Sequence, residues 1–309
     1  TPDSGLGAAV FHIEYRADSG WGAAMQLVPG GLSRETATLA VDSADNVSVL
    51  WSGFDFGGMG SQICCIRRVG GTWGAVEQVP SLGPSRSQVE PCLSVEPGTG
   101  VLHAVWGGRA DGHAYSRIQY CRRAPGGWGA AYGVGAAVRF DQSSPTVAWR
   151  DGRVHVAWCA ADSQSPTVRQ VQYCERDTNG LWSTVERLTA LGSGNTDYPS
   201  LAADRRGRLH LAWQGAPGRD YDVYYRSGLP AGAGVSAERS VEPRRLAAWP
   251  SPARDWVTVE AGGPVTVRDA LGRSAACPQS STGAGRVRLD VRGLAPGVYF
   301  AGPARLVRR

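Results

Sequence analysis

The chain has 309 residues, with 42 Gly, 19 Pro and only 19% charged residues, a composition suited to many tight turns between short strands. That length allows two domains, and no apolar run approaches the roughly 20 residues needed to cross a bilayer, so no transmembrane segment is expected. The formal charge of +5 is all arginine and uneven, with 21 Arg against 22 acids in residues 1–241 and 11 against 5 in residues 242–309. No basic stripe with interleaved aromatics marks the first part, which excludes a nucleic-acid partner as the expected function.

The chain opens on Thr1, so processing or truncation is expected to have removed the natural start. Residues 8–28 carry the closing half of a repeat, with Tyr15 and Trp21 around the turn Asp18-Ser19-Gly20. A whole unit at 35–79 follows, with Trp51, Trp73 and Cys65 where a Tyr is due. The unit at 90–134 has Trp106, Tyr120 and Trp128, and that at 143–188 has Trp158, Tyr173 and Trp182. The last, 197–241, has Trp213 and Tyr225, and 235–241 keeps the spacing with Val in place of the second Trp. The first Trp series is spaced 55, 52 and 55 residues apart and the second 52, 55 and 54. Interlocked markers at one period identify a repeat architecture.

Each unit predicts four strands. The first is 199–202, with relatives at 145–148, 91–94 and 37–40; the second runs up to the first Trp, as in 209–213, 154–158 and 102–106. The third is 223–226, 171–174 and 118–121, and the fourth starts at the second Trp, as in 73–79 and 182–188. Gly70-Gly71, Gly126-Gly127, Asn179-Gly180, Gly152 and Gly207 supply the positive φ of tight hairpins between them. Four short antiparallel strands every ~50 residues predict an all-β fold, a β-propeller of four-stranded blades. Apolar runs in place of clean alternation predict sheets buried on both faces, with the second-strand Trp residues between blades. About four and a half blades are counted over residues 1–241. Because half a blade cannot close a ring, N-terminal blades are expected to be missing; the alternative is a five-bladed ring whose short blade is completed by residues 1–10.

From Leu246 the period breaks, and residues 242–309 form a second segment. Trp256-Val-Thr-Val259 and Val287-Arg-Leu-Asp-Val291 alternate as strands with one buried face, predicting a small Ig-like β-sandwich.

Two family resemblances rest on these residues. The unit Tyr198-Pro-Ser-Leu-Ala-Ala-Asp204…Gly207-Arg-Leu-His210-Leu-Ala-Trp213 resembles the repeats of secreted bacterial propellers related to sialidases. Asp18-Ser19-Gly20-Trp21 is similar to a shortened Asp box, and Thr72-Trp73 preserves the end of that turn. The resemblance covers residues 8–241 and is one of scaffold, which does not fix function. In the last segment Trp249-Pro250-Ser251-Pro252-Ala253, Asp269-Ala-Leu-Gly272-Arg273 and Pro296-Gly-Val-Tyr-Phe300 resemble the C-terminal sorting domain of the type IX secretion system, with Ser251 departing from the usual Pro-Asn-Pro opening. Flagellar hook-cap-like sandwich repeats share some of these elements and are the alternative. The sorting resemblance implies a bacterial protein that is secreted or attached to the outer surface, engages the type IX machinery through residues 246–309, and is cleaved near 241–246.

The seven Cys form no disulfide framework and are expected as small buried hydrophobes, with at least one thiol left over. No Cys-x-x-Cys has His partners, so neither a metal nor a cofactor is expected. His103, His155 and His210 each lie three residues before a second-strand Trp and are expected to pack in the core with one backbone hydrogen bond. Acids recur after the second strand at Asp55, Asp111, Asp162 and Asp220, and the linkers entering the first strand bring Arg86 and Arg139 to the same rim. Loops on a rigid scaffold are where binding concentrates, so these six residues are the candidate site for an extracellular ligand such as a glycan. The bland alternative is that they are solvated turn formers and rim ion pairs of a purely structural surface protein. A sialidase-like exo-glycosidase is the other alternative, with Arg34, Arg86 and Arg139 around a carboxylate. No Tyr–Glu pair stands out for that chemistry and the blades look uniform, so no catalytic residue is assigned.

Overall fold

Runs such as Val47–Gly53 and Leu102–Arg109 are buried along nearly their whole length, and each forms the second strand of an antiparallel sheet. The computed structural model describes residues 8–29, 33–135, 139–190, 194–216, 222–228, 244–245, 248–249, 256–260, 265–269, 273–283, 286–295, 297–301 and 304–308. Asp220, residues 235–241 and most of 241–255 lie outside them, and with them the last fourth strand and the cleavage region expected above.

Numbering the whole repeats in chain order, the first blade runs Arg34–Val41, Val47–Gly53, Gln62–Val69 and Thr72–Trp73. The second runs Gln88–Val95, Leu102–Arg109, Ser116–Ala124 and Gly127–Trp128, and the third Gln142–Arg150, Arg153–Asp162, Ser165–Arg176 and Glu186–Arg187. In the fourth, Thr196–Ala203 pairs with Leu209–Gly215. Ahead of them Phe11–His12 pairs with Met25–Gln26 and Tyr15–Arg16 with Gly20–Trp21. The described residues hold no helix; the repeat folds as a β-propeller.

Two strand boundaries differ from the sequence reading. The fourth strand is not continuous: Thr72–Trp73 and Glu77–Gln78 pair separately with the third strand, because the chain leaves the ladder after Gly74 donates to the Arg67 carbonyl at 2.8 Å. The first strand starts three residues before the expected Pro. Its ladder skips between Glu35 and Thr38, Val89 and Cys92, Ser143 and Thr146, and Asp197 and Ser200. At each skip one non-glycine residue is left-handed, with φ of 52° at Thr36, 54° at Glu90, 52° at Ser144 and 51° at Tyr198. In three of the four the next residue is proline, which has no N–H for the ladder and sits naturally at a bulge.

Adjacent blades are stapled through these first strands. Glu90 Oε2 accepts from Ser144 N at 2.6 Å, Ser94 Oγ from Trp149 N at 2.9 Å, and Thr146 Oγ1 from Leu201 N at 3.1 Å. The core lies between sheets. Val105, Ile118 and Tyr120 of the second blade pack with Val147, Val156 and Trp158 of the third. Leu50 and Ile63 of the first pack with Leu93 and Trp106 of the second. Trp51, Trp106 and Trp158 are fully buried there, each contributing roughly 4–6 kcal/mol by the area an aromatic side chain removes from water. Cys64, Cys65, Cys121, Cys159 and Cys174 are buried free thiols, and burial pushes the Cys65 thiol up to about 12.

The chain divides into two compact units, residues 1–222 with 226–240 and residues 223–225 with 241–309. In the second unit one sheet is ordered Ala248–Trp249, Trp256–Glu260, Arg286–Asp290, Gln279–Gly283. Another is ordered Ser274–Ala275, Val267–Asp269, Gly297–Ala301, Ala304–Arg308. Val259, Val287 and Leu289 of the first sheet share a core with Val267 of the other.

Candidate functional site

A polar cleft of about 430 Å³ opens at the edge of the third blade where its second strand ends and its first begins. Arg139, Phe140 and Gln142 enter it from the linker and first strand, Asp162 from the end of the second, Gln172 from the third and Arg187 from the fourth. Strand pairing explains the convergence, since Trp158 stands opposite Gln172 and Gln172 opposite Arg187 in one row across the sheet. The Asp162 carboxylate shapes the loop: its Oδ1 accepts from Gln164 N at 2.9 Å and Ser165 N at 2.8 Å, and lies 3.6 Å from Arg187 Nη1. That ion pair is half-exposed and contributes little stability, so both groups remain disposable toward a ligand. Arg139 is exposed at the mouth.

The second and third blades carry the same three polar residues here and use them differently. In the second, Gln88 Oε1 accepts from Trp106 Nε1 at 3.0 Å and from Gln119 Nε2 at 2.6 Å. Gln119 Oε1 in turn accepts from Leu82 N at 2.7 Å, and the network is closed. The third has Gln142, Trp158 and Gln172 at the equivalent positions. There Gln142 Oε1 turns away to accept from Ile118 N at 2.8 Å. Trp158 Nε1 is buried without a hydrogen-bond partner, and Gln172, only 7% exposed, makes no side-chain hydrogen bond among the described residues.

One methyl group accounts for the difference. Gln88 stands opposite Gly108 and Gln142 opposite Ala160. A Cβ on Gly108 would lie 2.2 Å from Gln88 Oε1, closer than any real contact. The third blade has that Cβ, so the amide oxygen of Gln142 has no room in the Gln88 position. The other blades have glycine at this register, Gly53 opposite Arg34 and Gly215 opposite Thr196.

Of the residues expected on the rim, Arg139 and Asp162 come together in this cleft. Asp55 does not join a ligand surface. Its carboxylate is buried, accepting from Arg34 Nε at 2.7 Å and from Trp51 Nε1 at 2.8 Å. Burial alone would raise that carboxyl, but the Arg34 and Trp51 hydrogen bonds outweigh it and hold it below the usual carboxylate range. Asp111 is exposed and accepts from Ser85 Oγ at 2.7 Å, while the exposed Arg86 gives its carbonyl to Gln62 Nε2 at 2.9 Å. Both lie on the second blade, whose network is closed. Asp220 is outside the described residues. Gln142, Gln172, Phe140 and Arg187 were not expected in the site.

His103 and His155 bond to side chains and not to the backbone as expected. His103 Nδ1 meets the Tyr120 hydroxyl at 2.6 Å and its Nε2 meets Glu96 at 2.9 Å; His155 Nδ1 meets Tyr173 at 2.8 Å, and His210 Nε2 meets Asp204 at 3.2 Å. The second, third and fourth repeats couple their second-strand His to side chains on neighbouring strands or turns. Burial lowers both His103 and His155 to about 4, so they stay neutral at ordinary pH. Among the described residues no three His, Cys, Asp or Glu side chains are grouped to hold a metal ion.

Solved structures of the same architecture exist. A Hadza microbial sialidase is 12% identical with a TM-score of 0.50, over 87% of this chain and 58% of the sialidase. A protein of unknown function from Dyadobacter fermentans is also 12% identical with a TM-score of 0.50, over 75% of this chain and 76% of its own. An ulvan lyase of a polysaccharide lyase family is 12% identical with a TM-score of 0.45, over 63% of this chain. The likeness is one of fold. The chain spans 56% of that lyase's length, little more than half. No protein-family model and no curated protein matches the sequence.

Proposed function

We propose that this chain is a secreted or surface-bound propeller that binds an extracellular glycan in the third-blade cleft. The observation that carries the reading is the cleft itself, a rim cavity into which Arg139, Asp162, Arg187 and two glutamines converge beside the flat face of Phe140. Dense, mixed hydrogen-bonding side chains around one aromatic suit a polyhydroxylated ligand. The sialidase that shares the fold is a carbohydrate-active enzyme, which supports the same ligand class. Of the six rim residues expected from sequence, this reading keeps Arg139 and Asp162. A glycan array on the whole chain tests it: binding should fall about tenfold on Arg139→Ala or Asp162→Ala and stay unchanged on Asp111→Ala. A silent array would leave a structural role, and turnover of a sialoside reporter abolished by Arg139→Ala would favour the glycosidase alternative.

For residues 246–309 the reading is an Ig-like sorting module for type IX export. The two sheets over one valine-rich core support the sandwich. Deletion of residues 246–309 should leave a folded propeller retained in the host periplasm; arrival of the truncated chain at the cell surface would refute this role. No helix among the described residues is long and apolar enough to cross a membrane.

A further inference from the structure

We propose that the cleft between the half blade of residues 8–28 and the first blade is a second ligand site, which takes an acidic sugar by its carboxylate. The cleft has a volume of about 490 Å³, within the range of small-ligand sites. His12, Glu14, Arg16 and Met25 line it from the half blade, and Arg68 and Trp73 from the first. Two other blade junctions show what is missing here. In each third strand an arginine stands opposite the fourth-strand Trp: Arg68 opposite Trp73, Arg123 opposite Trp128 and Arg176 opposite Trp182. Arg123 meets Glu77 of the preceding blade, with Nε and Nη2 donating to the two carboxylate oxygens at 2.9 and 2.8 Å. Arg176 lies over the rings of Tyr120 and Tyr132 of its preceding blade, at 5.6 and 5.9 Å. Glu77 is paired with Cys65 and Tyr132 with Tyr120; in the half blade the same place, opposite His12, is held by Met25. Met25 offers Arg68 neither a charge nor a ring.

Arg68 is left with makeshift contacts. Its Nε donates to the Gly71 carbonyl of its own turn at 3.2 Å and its Nη1 to Glu14 Oε2 at 3.1 Å, while Nη2 donates to nothing among the described residues. Glu14 is shared, since Arg16 Nε lies 3.5 Å from its other oxygen. Two arginines and one glutamate thus line the cleft, an excess of one positive charge. A carboxylate entering it takes for Arg68 the part that Glu77 plays for Arg123, in a charge-assisted pair. The rest of the lining favours a sugar as its carrier. Trp73 and Met25 give apolar surface for a ring, and a Cβ on Gly20 or Gly71 would meet nothing within 4 Å, so the walls are open. Glu14 accepts from ring hydroxyls, whereas the side chains of an acidic peptide bring it only further negative charge. The turn at Gly20 that resembles a shortened Asp box forms one of these walls.

Calorimetric titration of the whole chain with trigalacturonate, its neutral methyl ester and triglutamate tests the proposal. Trigalacturonate should bind about tenfold or more tightly than either of the others. Arg68→Met removes the guanidinium and should weaken that binding about tenfold. Met25→Glu supplies the carboxylate that Glu77 gives Arg123, and should weaken it as much with both arginines in place and the thermal midpoint unchanged or raised. Equal or tighter binding of the methyl ester would overturn the role of the carboxylate, and equal or tighter binding of triglutamate that of the sugar. Binding of trigalacturonate lost on Arg139→Ala but unmoved by Arg68→Met and Met25→Glu would overturn the proposal while the third-blade glycan reading stands. No binding of trigalacturonate would overturn the proposal and leave the third-blade reading to its glycan array.

Discussion

In the second blade Gln88 gathers the Trp106 and Gln119 donors onto one oxygen, whereas in the third Gln142 faces the same pair across an alanine and turns elsewhere. The two blades share strand order, second-strand Trp, His and Tyr, and differ here by one methyl group at Ala160. Repeat units are held by similar contacts, so the change at this Trp–Gln pair stands out, while Trp128 Nε1 of the second blade and Trp182 Nε1 of the third are both buried without hydrogen-bond partners. The first blade belongs with the second, since Asp55 closes Trp51 there with help from Arg34.

Perturbing the closed blades should have the largest effects. Asp55→Ala leaves Arg34 charged and buried, and should cost about 3–5 kcal/mol in urea unfolding without altering glycan binding. Gln88→Met orphans the buried Trp106 indole N–H and leaves Gln119 Nε2 only the Gly108 carbonyl at 3.3 Å, and should cost about 2–4 kcal/mol. Gln142→Met loses only the bond to Ile118 N and should cost no more than about 1–2 kcal/mol. Equal losses for Gln88→Met and Gln142→Met would erase the distinction between the blades.

Acid should act on both blades alike. His103 and His155 lie near 4 in the fold against an ordinary 6.5, because burial disfavours their charged form. The unfolded chain takes up protons first as the pH falls. The stability tied to the neutral imidazoles is therefore present above about 6.5 and is lost as the pH drops toward about 4. A loss of a few kcal/mol over that window is expected in urea midpoints, and a His103→Gln, His155→Gln double variant should flatten it. A pH-independent midpoint in the parent chain would contradict the assignment of neutral buried histidines.

The propeller was legible in the sequence because the same large side chains must fill the same gap between sheets in every repeat, which prints Trp51, Trp106, Trp158 and Trp213 at a fixed period. Turn residues and buried cysteines followed from the same logic. The first-strand bulges did not, since a left-handed Thr36 or Tyr198 has no residue-type signature, and proline was read as a strand start when it sits at a skip in the ladder. The rim was legible only in outline. Counting acids after the second strand found Asp162 but gave the same weight to Asp55, which is buried, because charge type carries no information about burial. The signal that singles out the third blade was present as an absence of glycine: Gly53, Gly108 and Gly215 stand two residues after their Trp, and Ala160 alone replaces them. Its meaning depends on a side chain from the opposing strand, which repeat spacing does not encode.

The smallest expected effect gives the most direct test. Gln119→Met and Gln172→Met remove the same carboxamide from equivalent positions in the second and third blades. Thermal unfolding of the whole chain without ligand should show Gln119→Met lowered by several degrees, because Leu82 N and Gln88 lose a partner. Gln172→Met should be unchanged or slightly raised, because it deletes a buried amide that bonds to nothing described. Equal destabilisation by the two substitutions would show that Gln172 is an ordinary structural partner and that the third blade holds no open site.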